Sequence, residues 1–194
     1  MPILYLVRHP HTRVDPSQPA SRWGLSDRGR AEVRTLVALP LWASVSHVYT
    51  SSQPKTTLVG TAVQQAHSIP FTVNNALDEA QRDGWLGMDA FEAAQRAFFV
   101  EPESTPVAGW ESAHAAQTRF LAAMDGILRQ HPPGESLAVV SHGTVLTLYA
   151  AHVRGVPPTF DDWQQIGFAA IMAVDRATMQ PLTPFLSAPY DTLF

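Results

Sequence analysis

The sequence predicts an α/β fold built on a mostly parallel sheet. Short uninterrupted runs of aliphatic and β-branched residues recur along the chain, separated by stretches with helical periodicity. Two of these runs, Ile3–Val7 and Leu137–Val140, break at their carboxyl ends into a polar residue followed by histidine, Arg8-His9 and Ser141-His142. Open α/β sheets bind ligands just beyond the carboxyl ends of their strands. At 194 residues the chain has the length of one domain, and it buries enough surface to fold without a disulfide or metal staple.

The elements follow in order. Ile3–Val7 is apolar throughout, as in a strand buried on both faces. Residues 16–24 carry Pro, Ser, Gln and Gly and read as a loop. Ser26 is a helix cap, and the helix it opens runs to about Leu39, where Pro40 stops it. Val45–Thr50 is a second strand. Pro54 stands where a first-turn proline belongs, opening a helix to about His67, and Ile69–Val73 is a short strand. Ala116, Phe120, Ala123, Met124, Ile127 and Leu128 mark one face of a long helix ending near Pro132. Leu137–Val140 is a strand that leads into a helix from about Thr144 to Val153. Phe168–Asp175 forms a late strand, with Pro181–Phe185 pairing beside it.

Between 77 and 111 the texture changes. This segment holds Trp85, Phe91, Phe98, Phe99 and Trp110, and its eight acids and two arginines give a local charge of −6 within a chain of net −4. Aromatics in such number need burial, so the segment reads as a lid-like insertion into one domain spanning 1–194, and Trp85 and Trp110 read as packing residues.

Composition excludes several classes. There is no cysteine, hence no thiol nucleophile, disulfide scaffold or Cys-ligated metal. The negative net charge and lack of a basic run argue against nucleic acid. No apolar run spans a bilayer, and no basic segment precedes the first one, so a cytoplasmic protein without membrane contact is expected. Twelve arginines stand against one lysine, Lys55, which makes that lysine worth locating.

Arginine beside histidine suits anion chemistry: Arg8 offers forked donors to a phosphate or carboxylate, and His9 can act as base or nucleophile. His142 likewise follows a buried strand, and Gly143 after it opens a helix whose N-terminus favours an anion.

These residues belong to a longer pattern. Leu-Val-Arg8-His9-Pro10-His11-Thr12, Leu25-Ser26-Asp27-Arg28-Gly29, Ser51-Ser52 through Thr61-Ala62, Leu77-Asp78-Glu79 with Gly84-Trp85-Leu86-Gly87, Gly109-Trp110-Glu111-Ser112 with Arg119, and Val139-Val140-Ser141-His142-Gly143 occur in that order. The chain resembles the histidine phosphatase superfamily, the phosphoglycerate mutase-like proteins, from about Leu4 to Asp175. The resemblance implies a three-layer sandwich with helices on both faces of the sheet. It implies a metal-free and cofactor-free phosphomonoesterase that acts on a small phosphorylated metabolite. His9 would be the nucleophile that becomes phosphorylated. Arg8 and His142 would hold the phosphoryl group, with Thr12 and Gly143 adding contacts. Glu79 would protonate the leaving oxygen, for which a raised pKa is expected.

Two positions depart from the family pattern. Pro10 replaces a signature glycine, removing one N–H and favouring extended backbone at His9. Aligning Thr61-Ala62 puts Thr57 where a second phosphate-binding arginine belongs; Lys55, two residues earlier, either supplies that charge or is a surface lysine. A catalytically weak relative that binds a phosphorylated ligand or protein is the alternative that Thr57 favours. A third reading takes His9 and His11 as a metal pair with His142, but Arg8 would repel the cation.

Overall fold

The computed structural model of the chain describes residues 1–84 and 86–190. Trp85, expected to pack, lies outside them. The strands are β1 (Ile3–Arg8), β2 (Val45–Thr50), β3 (Phe71–Val73), β4 (Ser136–Ser141), β5 (Ile171–Asp175) and β6 (Gln180–Pro181). They form one sheet in the order β3-β2-β4-β1-β5-β6. The first four of these are mutually parallel, while β5 runs antiparallel to β1 and β6 antiparallel to β5. The helices are α1 (Asp27–Val37), α2 (Pro54–His67), α3 (Met88–Val100), α4 (Ala113–Gln130), α5 (Gly143–Arg154) and α6 (Phe160–Gln165).

Side chains alternate across the pleat, so each central strand feeds two cores. Leu4, Leu6, Leu137, Val139, Met172 and Val174 pack on one face with Phe120, Met124 and Ile127 of α4 and Leu146 and Leu148 of α5. Tyr5, Val7, Ala138, Val140, Ile171 and Ala173 pack on the other with Leu36 of α1 and Val59 and Val63 of α2. The result is the expected three-layer arrangement. It also explains why these strands read as unbroken apolar runs.

Local signals hold at most boundaries. The Ser26 hydroxyl accepts from the Gly29 N–H at the start of α1, the Ser112 hydroxyl does so from Ala115 at α4, and Pro54 sits in the first turn of α2. The late strand begins at Ile171 rather than Phe168. Ala169 has a φ of +57°, and its N–H bonds the His9 carbonyl, so residues 167–170 turn before the ladder starts. The segment 77–111 contains α3, and Phe98, Phe99 and Trp110 are buried. Helix α6 was not expected, although Thr159 caps it and Asp161 and Asp162 stand in its first turn. No helix of the described residues is long and apolar enough to cross a membrane.

Pairing register positions the site. Arg8 lies opposite Ser141, and Thr50 opposite Val140. Beyond those pairs the His9 N–H donates to the Ser141 carbonyl at 2.9 Å and the Ser51 N–H to the Val140 carbonyl at 3.2 Å. Three parallel strands therefore end side by side, at His9, Ser51 and His142.

Candidate active site

His9 and His142 face each other with ring centroids 5.1 Å apart, both buried. His9 Nδ1 lies 2.8 Å from the Pro10 carbonyl. A carbonyl oxygen can only accept, so Nδ1 carries the proton and Nε2 keeps its lone pair. Pro10 thus fixes the tautomer through its C=O. His142 Nε2 is 2.7 Å from the Ser51 hydroxyl, itself 2.7 Å from the Thr56 hydroxyl, while His142 Nδ1 is buried with no hydrogen-bond partner among the described residues. Burial, together with the neighbouring imidazole, Lys55 and Arg8, holds His9 well below its usual pKa. Burial and the cations Lys55, Arg8, Arg82 and Arg119 do the same to His142. Both rings are neutral near pH 7.

Arg8 donates to the Ile166 carbonyl, and its guanidinium lies 4.4 Å from the Phe168 ring centre. It rests against Gly143: a Cβ there would meet Arg8 Cζ at 3.1 Å. Burial pushes Arg8 down to about 10. Thr12 is buried and its backbone bridges to Leu25, which ties the loop after His9 to the start of α1.

Lys55 is 5% exposed and is not a surface lysine. Its ammonium donates to the Ala20 carbonyl at 2.7 Å, and burial lowers it to about 8 although Glu79 and Asp78 pull the other way. Thr57, by contrast, bonds back to the Pro54 carbonyl, whereas Thr56 is fully buried beside Ser51. The inward-facing positions at the start of α2 are therefore Lys55 and Thr56. A one-residue step on a helix turns the face by about 100°, so half-buried Thr57, where the family pattern places its arginine, lies to one side of them.

Glu79 departs from expectation. Its carboxylate accepts from Thr144 N at 3.1 Å, Val145 N at 3.2 Å and Ala80 N at 2.9 Å, with Arg82 Nη2 4.0 Å away. Burial alone would raise its pKa, but Arg82, the Thr144 and Ala80 donors and Arg8 outweigh burial and hold it below the usual carboxylate value. The expected upward shift is thus corrected: Glu79 is ionised, and it occupies the N–H groups of Thr144 and Val145 at the start of α5, which the sequence offered to an incoming anion.

His11 does not join the histidine pair. Its Nδ1 lies 2.8 Å from the Ser26 hydroxyl, and its N–H donates to Glu32. Among the described residues no group of three or more His, Asp or Glu side chains is placed to hold a metal ion.

Sequence reading missed Arg82. It is one of two arginines in the acidic segment, and its placement depends on how 77–111 wraps over α5. Trp163 on α6 and Phe168 were missed for the same reason: they border Gly143 and Arg8 only in three dimensions.

A doubly covered, mostly parallel sheet with two histidines and buried cations beyond its strand ends defines an α/β protein with an anion-directed site. The chain matches the histidine phosphatase superfamily (branch 1) over residues 4–183, and it belongs to that superfamily. Its fold is similar to that of YhfR from Bacillus stearothermophilus (22% identity, TM-score 0.73, covering 95% of this chain and 96% of that one). It is also similar to a phosphoserine phosphatase mutant from Entamoeba histolytica solved with phosphoserine (16%, 0.77, 96% and 98%) and to the alpha-ribazole phosphatase of Shigella flexneri (19%, 0.76, 95% and 96%). No match emerges among curated protein sequences.

Proposed function

We propose that the chain is a phosphomonoesterase for small phosphorylated metabolites, working through a phosphohistidine on His9. One observation carries this reading. Arg8, Lys55 and Arg82 surround the neutral His9–His142 pair, and Glu79 is the carboxylate that reaches among them; Asp78 is tied to the Ser52 N–H and hydroxyl at the margin. Buried charge needs a counter-charge. The cations outnumber the carboxylates around the histidine pair, and that net positive charge is what an incoming phosphate would offset. The names of the structural neighbours, a phosphoserine and an alpha-ribazole phosphatase, agree with this class.

In this reading His9 Nε2 attacks phosphorus, forming a P–N bond as the P–O bond to the leaving group breaks. Arg8, Lys55 and His142 stabilise charge on the transferring oxygens, with Thr12 and the Gly143 N–H adding contacts. Glu79 gives a proton to the leaving oxygen. The arriving dianion offsets the cations that hold Glu79 ionised, so its proton affinity rises when the substrate is bound. Glu79 then takes the proton of the water that attacks phosphohistidine, the P–N bond breaks and phosphate leaves. The segment 77–111 serves as the wall that supplies Glu79 within one domain spanning the chain, and no step needs a metal or cofactor.

Incubation with a labelled phosphoryl donor tests the reading. An acid-labile, base-stable adduct is expected on the wild type and not on His9→Ala; equal labelling of both proteins sinks the mechanism.

A further inference from the structure

The start of α2 carries no arginine, and Lys55 provides a point charge without forked donors. We propose that Arg82 supplies the second guanidinium of the phosphoryl pocket, binding the substrate phosphate opposite Arg8. The inference rests on the phosphatase reading above and assigns a residue to it.

Geometry points there first. Arg8 lies against Gly143, and Arg82 Nη2 donates to the hydroxyl of Thr144, the next residue, at 2.5 Å. The two guanidiniums therefore flank the same first turn of α5, directly after His142. Arg82 is also seated: its guanidinium lies 5.0 Å from the Phe91 ring centre and 5.2 Å from that of Trp110, and Gln95 Oε1 accepts from it at 3.1 Å. Aromatic faces and a fully buried Gln95 hold the planar group in one place.

Its existing partners do not use its capacity. Guanidinium has five N–H donors. The acceptors of Nη2 are the neutral oxygens of Thr144 and Gln95. Glu79 stands at 4.0 Å, and its oxygens already accept from three backbone N–H groups. Arg82 Nε is buried and has no partner among the described residues, as is true of Arg8 Nε and His142 Nδ1. Two unpaired, buried guanidinium N–H donors converging on one helix start, with an unpartnered imidazole nitrogen beside them, make the donor set of an anion site. A purely structural Arg82 would leave like charges packed near one another: Arg82 depresses the proton affinity of both Arg8 and Lys55.

The test compares wild type with Arg82→Lys and Arg82→Gln. Binding of inorganic phosphate is measured by calorimetry, and p-nitrophenyl phosphate hydrolysis is followed as a function of pH. Arg82→Lys keeps the charge but loses the fork, so it separates ligation from folding; thermal melts confirm that both variants are folded. Loss of a charge-assisted hydrogen bond predicts phosphate affinity falling by about 10- to 150-fold in Arg82→Gln, with partial retention in Arg82→Lys. Unchanged phosphate affinity in both variants, with only the Glu79-dependent limb of the pH profile displaced, overturns the proposal and leaves Arg82 as a positioning residue for Glu79. The binding measurement does not require turnover. A wild type that binds phosphate through Arg82 but forms no phosphohistidine supports the proposal while refuting the phosphatase reading.

Discussion

Replacing Lys55 with methionine should make the protein more stable and a poorer binder of phosphate. Burial lowers the Lys55 pKa from 10.5 to about 8. That change measures what the fold spends on holding the ammonium charged, about 3 kcal/mol. Lys55→Met keeps the length and apolar stem while removing the charge, but leaves the Ala20 carbonyl without its 2.7 Å donor, which returns about 1 kcal/mol or more. The expected net gain at pH 7 is about 1–2 kcal/mol, or roughly 2–4 °C in Tm per kcal/mol for a chain of this size. The pH dependence has a definite sign. Between about 8 and 10.5 the unfolded chain keeps a proton that the folded chain has released, so wild-type stability rises with pH across that window. The advantage of Lys55→Met therefore shrinks from pH 8 upward. Phosphate should behave in the opposite way: affinity falls above pH 8 in the wild type, and at pH 7 by about 10- to 150-fold in the variant. Urea melts with and without phosphate read both quantities. A Lys55→Met protein no more stable than wild type, or one that phosphate stabilises just as strongly, refutes the reasoning.

Other outcomes follow from the same geometry. Glu79→Gln should slow alkyl phosphates far more than an activated aryl phosphate, whose departure needs no proton; equal losses would assign Glu79 another role. Because Glu79 is ionised in the free protein and gains proton affinity beside a dianion, kcat for alkyl phosphates should persist to higher pH than kcat/KM, and coincident profiles would contradict this. Gly29→Ala should destabilise by about 1–3 kcal/mol, against the helical gain alanine usually brings, because its Cβ would stand 2.0 Å from the His11 carbonyl oxygen. A stabilised variant with unchanged kcat would show that the loop after His9 yields freely.

The sheet was legible because its central strands are buried on both faces, a condition that writes itself as continuous apolar runs such as Leu137–Val140. Helix starts at Ser26 and Pro54 were legible because capping and first-turn proline are local chemistry. The Arg8-His9 and Ser141-His142 pairs announced themselves by sitting where those runs end. Other features depend on distance through space. Register between β1, β4 and β2 brought Ser51 to His142. The turn at Ala169 placed Phe168 beneath Arg8. The one-residue difference between Thr56 and Thr57 decided which faces inward. Electrostatics depended on tertiary structure most of all. In the sequence, Glu79 is one acid among eight in a segment of charge −6, and the role of proton donor that the family resemblance gives it called for a raised pKa. Folding put it on the N–H groups of α5 and beside Arg82, and those contacts reverse the sign. Strands and caps are determined by residues within a few positions of each other, so the sequence alone determined them. A pKa or a phosphate ligand depends on charges brought within a few ångströms by packing, and those only the tertiary structure decided.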